Sequence, residues 1–336
     1  MTIHAYATLA AKEPLQPFRY DPAALGPYDV EVSITHCGIC HSDVHLVDND
    51  WPLKQYPLVP GHEIIGTVSE KGAMVRHLEA GQRVGIGWQC GACLECDLCV
   101  AGEDHLCLRN QATCVGHYGG FADRVISDSR YAFEIPEALA SENAAPLLCG
   151  GVTVYSPMRH YGVRPHMKVG VIGIGGLGHL ALQFARALGC EVTAFSSTPA
   201  KEKEAQSFGA QHFVVSTDPA ALKAASASVD FLLSTVFVDL NWSEYLNVLR
   251  PNGKLCFVGV PATPLSLHVG QLLGGQKSIS GSVTGSRWMI REMLNFAARH
   301  GVKAMTETAP MAEVNQALDK VRANKARYRM VLKNNP

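Results

Sequence analysis

The spacing of apolar positions changes partway along this chain. Short β-type runs at residues 30–34, 64–69, 83–86 and 121–126 are separated by turns rich in Gly, Pro and Cys, which predicts an irregular, mostly β unit. From about Val169 the apolar runs at 169–172, 191–195, 212–215, 229–233 and 254–258 alternate with helical patterns. Such alternation predicts a parallel sheet wrapped by helices. Leu177, Leu180, Phe184 and Leu188 recur at helical spacing and Gly189 ends the pattern, so the first crossover should be an amphipathic helix. Beyond about Gly285 come helical patterns at 288–300 and 311–323 and a last β-type run at 328–332, with no repeat or low-complexity segment.

With 336 residues the chain is long enough for two domains, and 47% apolar with 18% charged residues fits a folded globular protein with a sizeable core. The 29 Lys and Arg nearly balance the 30 Asp and Glu, and no basic stripe is present, so nucleic acid is not expected as a partner. Met1 to Phe18 lacks a basic segment followed by an apolar run, and no stretch reaches the roughly 18 apolar residues of a membrane span. A cytoplasmic protein without a membrane partner is expected. In that setting the eleven cysteines point to thiolate chemistry, mainly metal binding, rather than to disulfides.

Their clustering carries the argument further. Cys93, Cys96, Cys99 and Cys107 form C-x2-C-x2-C-x7-C within a lobe at about 88–110, a spacing that closes four thiolates around one tetrahedral ion. Two disulfides and an iron–sulfur cluster are the rival readings. Removing a native disulfide costs about 2–5 kcal/mol, whereas structural zinc binding is worth roughly 10–16 kcal/mol, so a reducing cytosol favours zinc. A site made only of thiolates has no open position, which makes it structural. Cys90 adds one more rung, but a set of Cys90, Cys93 and Cys96 would leave ten residues before Cys107, so Cys90 is read as a spare thiol.

A second, mixed set is scattered. Cys37-Gly-Ile-Cys40-His41-Ser42-Asp43-Val44-His45, Gly61-His62-Glu63 and Cys149 supply Cys and His from three segments, as a catalytic zinc with one open position requires. Each residue also has a plainer reading. Cys149 fits a small buried hydrophobe, Cys37 and Cys40 half of a zinc ribbon, His62 and Glu63 a surface pair, and His45 a solvated histidine.

Gly173-Ile-Gly175-Gly176-Leu177-Gly178 follows the run 169–172 and opens a helix, the context of a dinucleotide-binding turn. Gly173 would allow the tight turn, Gly175 the approach of a pyrophosphate, and Gly178 close helix–strand packing. The next strand lacks the acidic residue that binds the ribose hydroxyl of NAD. Ser196, Ser197, Thr198 and Lys201 stand there instead and suit a 2′-phosphate, so NADP(H) is expected over NAD(H). These residues also suit a helix cap.

Taken together, CGICHSD, YPLVPGHE, the four-cysteine lobe, GGFAD, CGGVTVYSP, GIGGLG and RYR run along essentially the whole chain. The chain resembles the zinc-containing medium-chain alcohol dehydrogenases, most closely the cinnamyl alcohol dehydrogenase branch and its microbial aldehyde-reductase relatives. The resemblance implies an α/β protein with a GroES-like, mostly β catalytic domain at 1–149. A Rossmann domain with a doubly wound parallel sheet would follow at 150–284, and 285–336 would return to the catalytic domain. It implies catalytic zinc ligands Cys40, His62 and Cys149, with Glu63 an alternate ligand, Asp43 bonded to the His62 ring, and Cys37 not a ligand. Ser42 would pass a proton between substrate oxygen and cofactor ribose, with His45 relaying it to solvent, while zinc acts as Lewis acid for hydride transfer. His41, Thr153, Thr235, Val258 and Val260 would join the cofactor contacts, and a homodimer is implied.

The implied activity is the interconversion of primary alcohols and aldehydes with two zinc ions per chain. An NAD-preferring alcohol or polyol dehydrogenase, and a non-catalytic zinc and dinucleotide-binding protein, are the alternatives. Trp51, Trp88 and Val283 are placed near the substrate. The eleven residues from Leu108 to Tyr118 are fewer than plant cinnamyl alcohol dehydrogenases carry, so a role in lignin precursors is not implied.

Overall fold

The computed structural model describes residues 2–51 and 55–334, so Met1 at the head of the leading segment lies outside the described residues. The chain forms two compact units, Met1–Val152 with Thr284–Pro336, and Thr153–Val283. Among the described residues no helix is long and apolar enough to cross a membrane.

The second unit is a six-stranded parallel sheet. Lys168–Ile172 lies inside it, flanked by Glu191–Ser196 and then His212–Val215 on one side. On the other side follow Val229–Ser234, Leu249–Phe257 and Ser278–Gly281. The order reverses between Lys168–Ile172 and Val229–Ser234, and ligands of such sheets bind in the crevice beyond the carboxyl ends of the strands there. The glycine-rich turn leaves Ile172 at that point. Gly173 has φ +86°, a left-handed conformation that glycine adopts without a Cβ penalty. The helix Gly178–Ala187 buries Leu180, Ala181, Phe184 and Ala185 against the sheet and stops before Gly189, at φ +87°. The apolar run 254–258 is only the second half of Leu249–Phe257. Ser278–Gly281 is too short and too small in its side chains to stand out as a strand in the sequence.

The first unit is built on the long strand Asp29–Ile39, which pairs with Ile64–Lys71, Arg124–Asp128 and Arg329–Lys333. Its core gathers Val30, Val32, Ile64 and Val68 from these strands, Val84 from the strand Arg83–Ile86, Phe121, and Val314 and Leu318 from the helix Val314–Arg322. The apolar run 121–126 becomes strand only at Arg124. Gly120 and Phe121 spend their N–H groups on Gly61 O (2.7 Å) and Pro60 O (2.9 Å), which folds the Gly-Gly-Phe turn onto the segment that carries His62. The pattern at 311–323 divides into a 3₁₀ turn, Met311–Glu313, and the helix Val314–Arg322.

At Gly178 an added Cβ would lie 1.8 Å from Gly173 O, a contact with backbone that cannot swing aside. Gly178→Ala is expected to lose about 1–3 kcal/mol of stability by overpacking. Urea unfolding of the two proteins checks this, and an unchanged midpoint would show that the turn and helix have room to separate.

Candidate active site

The register of two antiparallel strands brings the scattered motif together. Cys37 pairs with Ile64, and Gly38 N donates to Glu63 O at 2.9 Å, so the residues just after one strand meet those just before the other. The chain leaves Asp29–Ile39 through Cys40 into the helix His41–Val47. Asp43, fully buried on that helix, accepts from Cys40 N at 2.9 Å through Oδ2 and from Gly61 N at 2.9 Å through Oδ1. Oδ1 also lies 3.1 Å from His62 Nδ1. One carboxylate thus fixes both segments and the His62 ring.

Cys149 comes from a third segment. It follows the 3₁₀ turn Ala145–Leu148, whose Leu148 sits where a side chain at Gly85 or Gly87 would clash. Its Sγ is 3.9 Å from Cys40 Sγ. Two sulfurs on one tetrahedral zinc stand about 3.8 Å apart when each bond is about 2.3 Å, whereas a disulfide requires about 2.05 Å. The ligand atoms of Cys40, His62, Glu63 and Cys149 all lie within 4.8 Å of one another.

With Nδ1 engaged by Asp43, His62 Nε2 is buried and has no hydrogen-bond partner among the described residues, and neither has Glu63 Oε2. Buried polar atoms are rarely left so. The hydrogen bond from Cys149 and the neighbouring His62 hold the Cys40 thiol well below the ordinary cysteine range despite burial, while the same bond and burial push Cys149 up. Burial opposes a charge on His62, but the Asp43 carboxylate raises it well above the usual histidine range. This donor set fits a divalent cation that takes thiolate and imidazole ligands. Cys37 is buried outside it, its thiol pushed up by burial and then by Asp43.

The second thiol cluster is equally compact. Cys93 Sγ lies 3.5 Å from Cys107 Sγ and 3.8 Å from Cys99 Sγ, and Cys96 Sγ lies 3.8 Å from Cys107 Sγ. All four atoms fall within 4.8 Å of one another, and none is in a disulfide. Backbone N–H groups of Glu95 and Cys96 hold Cys93 down at about 6. Cys90 stands apart. Its Sγ approaches Gln111 O at 3.6 Å, and burial pushes it up to about 12.

In the second unit, nothing lies within 4 Å of a Cβ placed on Gly175, so the backbone there is open to a bulky anion. Thr235 Oγ1 is 2.9 Å from both Ile172 O and Gly173 O and ties the glycine turn to the neighbouring strand. Ser196 is buried with its Oγ accepting from Thr198 N at 3.2 Å, and Ser197 and Thr198 are exposed. Lys201 Nζ donates to Ile174 O at 2.6 Å. Thr153 is buried, whereas Val258 is half-buried and Val260 and Val283 are exposed.

Residues 26–137 match the model of the alcohol dehydrogenase GroES-like domain, and residues 176–299 that of zinc-binding dehydrogenases. The aldehyde reductase AdhA of Synechocystis sp. is 47% identical over 98% of each chain. The chain belongs to the medium-chain alcohol dehydrogenase family. A probable cinnamyl alcohol dehydrogenase of Arabidopsis thaliana is 41% identical over 95% of this dehydrogenase and 90% of its own length. The cinnamyl alcohol dehydrogenase SbCAD4 of Sorghum bicolor superposes with a TM-score of 0.95 at 38% identity, covering 99% of this chain and 98% of its own. A cinnamyl alcohol dehydrogenase of Helicobacter pylori, solved with NADP(H), gives 0.91 at 32% identity, covering 99% and 98%.

Two features of this dehydrogenase escape the sequence reading. His45, half-buried, has its Nδ1 2.8 Å from Asp50 Oδ2, a pairing that spacing alone does not announce. Arg329, the second arginine of the RYR motif, is buried and paired with Glu63. The strand pairing of Met330 with Ile39 delivers it, 266 residues away in sequence. Burial pushes the Glu63 carboxyl up to about 7 even though Arg329 pulls it down.

Removing the cation should raise Glu63 further. A carboxyl held above its unfolded value contributes stability below the ordinary carboxylate range and loses it as pH rises toward the folded value. Arg329→Gln should therefore lose more stability at pH 8 than at pH 5. The loss at pH 8 is expected to reach about 3–5 kcal/mol, the cost of breaking a buried pair. Urea unfolding at the two pH values reads the difference.

Proposed function

We propose that this dehydrogenase interconverts primary alcohols and aldehydes by hydride transfer with NADP(H), and that it holds two zinc ions per chain. The observation that carries the reading is the buried, unpartnered Nε2 of His62 facing a donor set with Cys40 and Cys149. These three are the proposed ligands of the catalytic zinc, Glu63 is its alternate ligand, and Cys93, Cys96, Cys99 and Cys107 hold the structural zinc. When bound, zinc supplies a Lewis acid at the substrate oxygen and the nicotinamide supplies or takes the hydride.

Asp43 keeps the proton of His62 on Nδ1, so that Nε2 presents its lone pair. Ser42 Oγ lies 3.6 Å from Cys40 Sγ, close to the ligand set, where its hydroxyl can both donate to and accept from the substrate oxygen. His45, oriented by Asp50, is the proposed outlet for that proton. Trp88 lies edge-on to the His62 ring at 4.8 Å and 6.3 Å from Trp51, an apolar wall suited to an aliphatic or aromatic substrate.

On this reading the first unit is catalytic and the second binds the cofactor at Gly173, Gly175, Gly176, Leu177 and Gly178. Ser196, Ser197, Thr198 and Lys201 receive the 2′-phosphate, Lys201 by exchanging its bond to Ile174 O for the anion. The NADP(H) complex of the Helicobacter pylori relative supports this choice. The eleven unpaired cysteines support a cytoplasmic protein. The open edge at Ser278–Gly281, with Val269 and Leu273 exposed nearby in sequence, supports a homodimer.

Steady-state rates with a panel of aldehydes should give at least about tenfold higher kcat/KM for NADPH than for NADH, a difference of roughly 1.4 kcal/mol. Ser196→Asp should reverse the order. Equal efficiency in the native enzyme, with no change on substitution, would contradict the assignment of this stretch.

A further inference from the structure

A cavity of about 700 Å³ opens in the first unit, and none of its lining belongs to the proposed metal or cofactor residues. Its walls come from the antiparallel pair Ile3–Ala7 and Gln16–Tyr20 with the residues just after it, the four-cysteine lobe, the strand Arg124–Asp128 and the eleven-residue connection from Leu108 to Tyr118. The volume lies within the roughly 300–1,000 Å³ of small-molecule sites.

The lining has a distinct chemistry. Tyr20 and Tyr118 form an aromatic wall, with ring centroids 4.5 Å apart. Besides His117, four charged side chains line the cavity, and two of them are already neutralised. Arg109 is paired with Glu95 at 2.6 Å, and Asp128 with Arg130 at 2.5 Å. The other two are carboxylates. Asp21 accepts from Thr2 Oγ1 at 2.7 Å and Asp29 from Gly26 N at 2.9 Å, and neither pairs with a cationic side chain among the described residues. His117 turns both ring nitrogens to backbone carbonyls, Thr113 O and Ile126 O, each at 2.9 Å. Ser127, only 4% exposed, also lines the cavity, and its Oγ has no hydrogen-bond partner among the described residues.

We propose that this cavity is a second ligand site, for a small organic ammonium ion. Such an ion brings the N–H donors that Ser127 Oγ and the two carboxylates accept, and its charge is attracted to the faces of Tyr20 and Tyr118. An anion would meet the uncompensated Asp21 and Asp29, and a neutral polyol would leave their charge unanswered. Cys114 forms part of the wall, and its Sγ lies 4.0 Å from His62 Nδ1, so the occupant stands one side chain away from the proposed catalytic metal set.

Titration calorimetry of the full-length, zinc-loaded protein with spermidine tests the site, with mannitol as the neutral comparison. One saturable spermidine site per chain is expected, weakened at least tenfold in the Asp21→Asn/Asp29→Asn double variant and several-fold in Tyr118→Leu. The Asp21→Glu/Asp29→Glu variant, which keeps the charge, should retain binding, and aldehyde turnover without spermidine should be unchanged in all of them. No saturable spermidine binding, binding that survives loss of both carboxylates, or mannitol binding as tightly as spermidine would each overturn the proposal. The readout is binding rather than turnover, so its failure leaves the dehydrogenase reading untouched.

Discussion

The Asp43 carboxylate holds the proposed metal site together. It is fully buried, and its two oxygens take up Cys40 N, Gly61 N and His62 Nδ1. Hydrogen bonds to a charged group are each worth about 1.5–3 kcal/mol, and a polar group buried at this depth without them would carry its full desolvation cost. The carboxylate therefore demands these partners, and in meeting the demand it locks two chain segments and one ring orientation. The Nε2 of His62 then has only the thiolate side of the site to face.

A second requirement is backbone proximity. A Cβ on Gly38 would lie 2.0 Å from Glu63 Oε2 and displace that carboxylate, and Gly85 and Gly87 clear the way for Leu148, next to Cys149. In the other unit, Gly173 and Gly178 bring the turn and helix together while Gly175 leaves its own surface open. The same residue type serves opposite ends here, close packing on one side and vacant space on the other. Both follow from the missing Cβ.

Local patterns were legible because local physics produces them. The period of apolar residues marked five of the six strands of the parallel sheet, Ser278–Gly281 being the exception, and Gly173 to Gly178 marked the turn at its reversal point. The Cys93–Cys107 cluster lies within one lobe, where spacing alone reports proximity. What depends on register between distant strands was not legible in the same way. Joining Cys40, His62 and Cys149 required a family resemblance, and Arg329 arrives beside Glu63 only through the pairing of Met330 with Ile39. The short run before Arg124 misled for a related reason, since its N–H groups bond to the His62 segment instead of a strand.

On the proposed reading, two distinct cysteine-containing sites each hold one zinc ion. Metal analysis of the purified chain by mass spectrometry tests it most directly, alongside Cys40→Ser and Cys93→Ser variants. Two zinc ions per native chain and about one in Cys40→Ser are expected, with the loss confined to the Cys40 site. A native chain with a single zinc, or a Cys40→Ser variant that keeps the full complement, would contradict it.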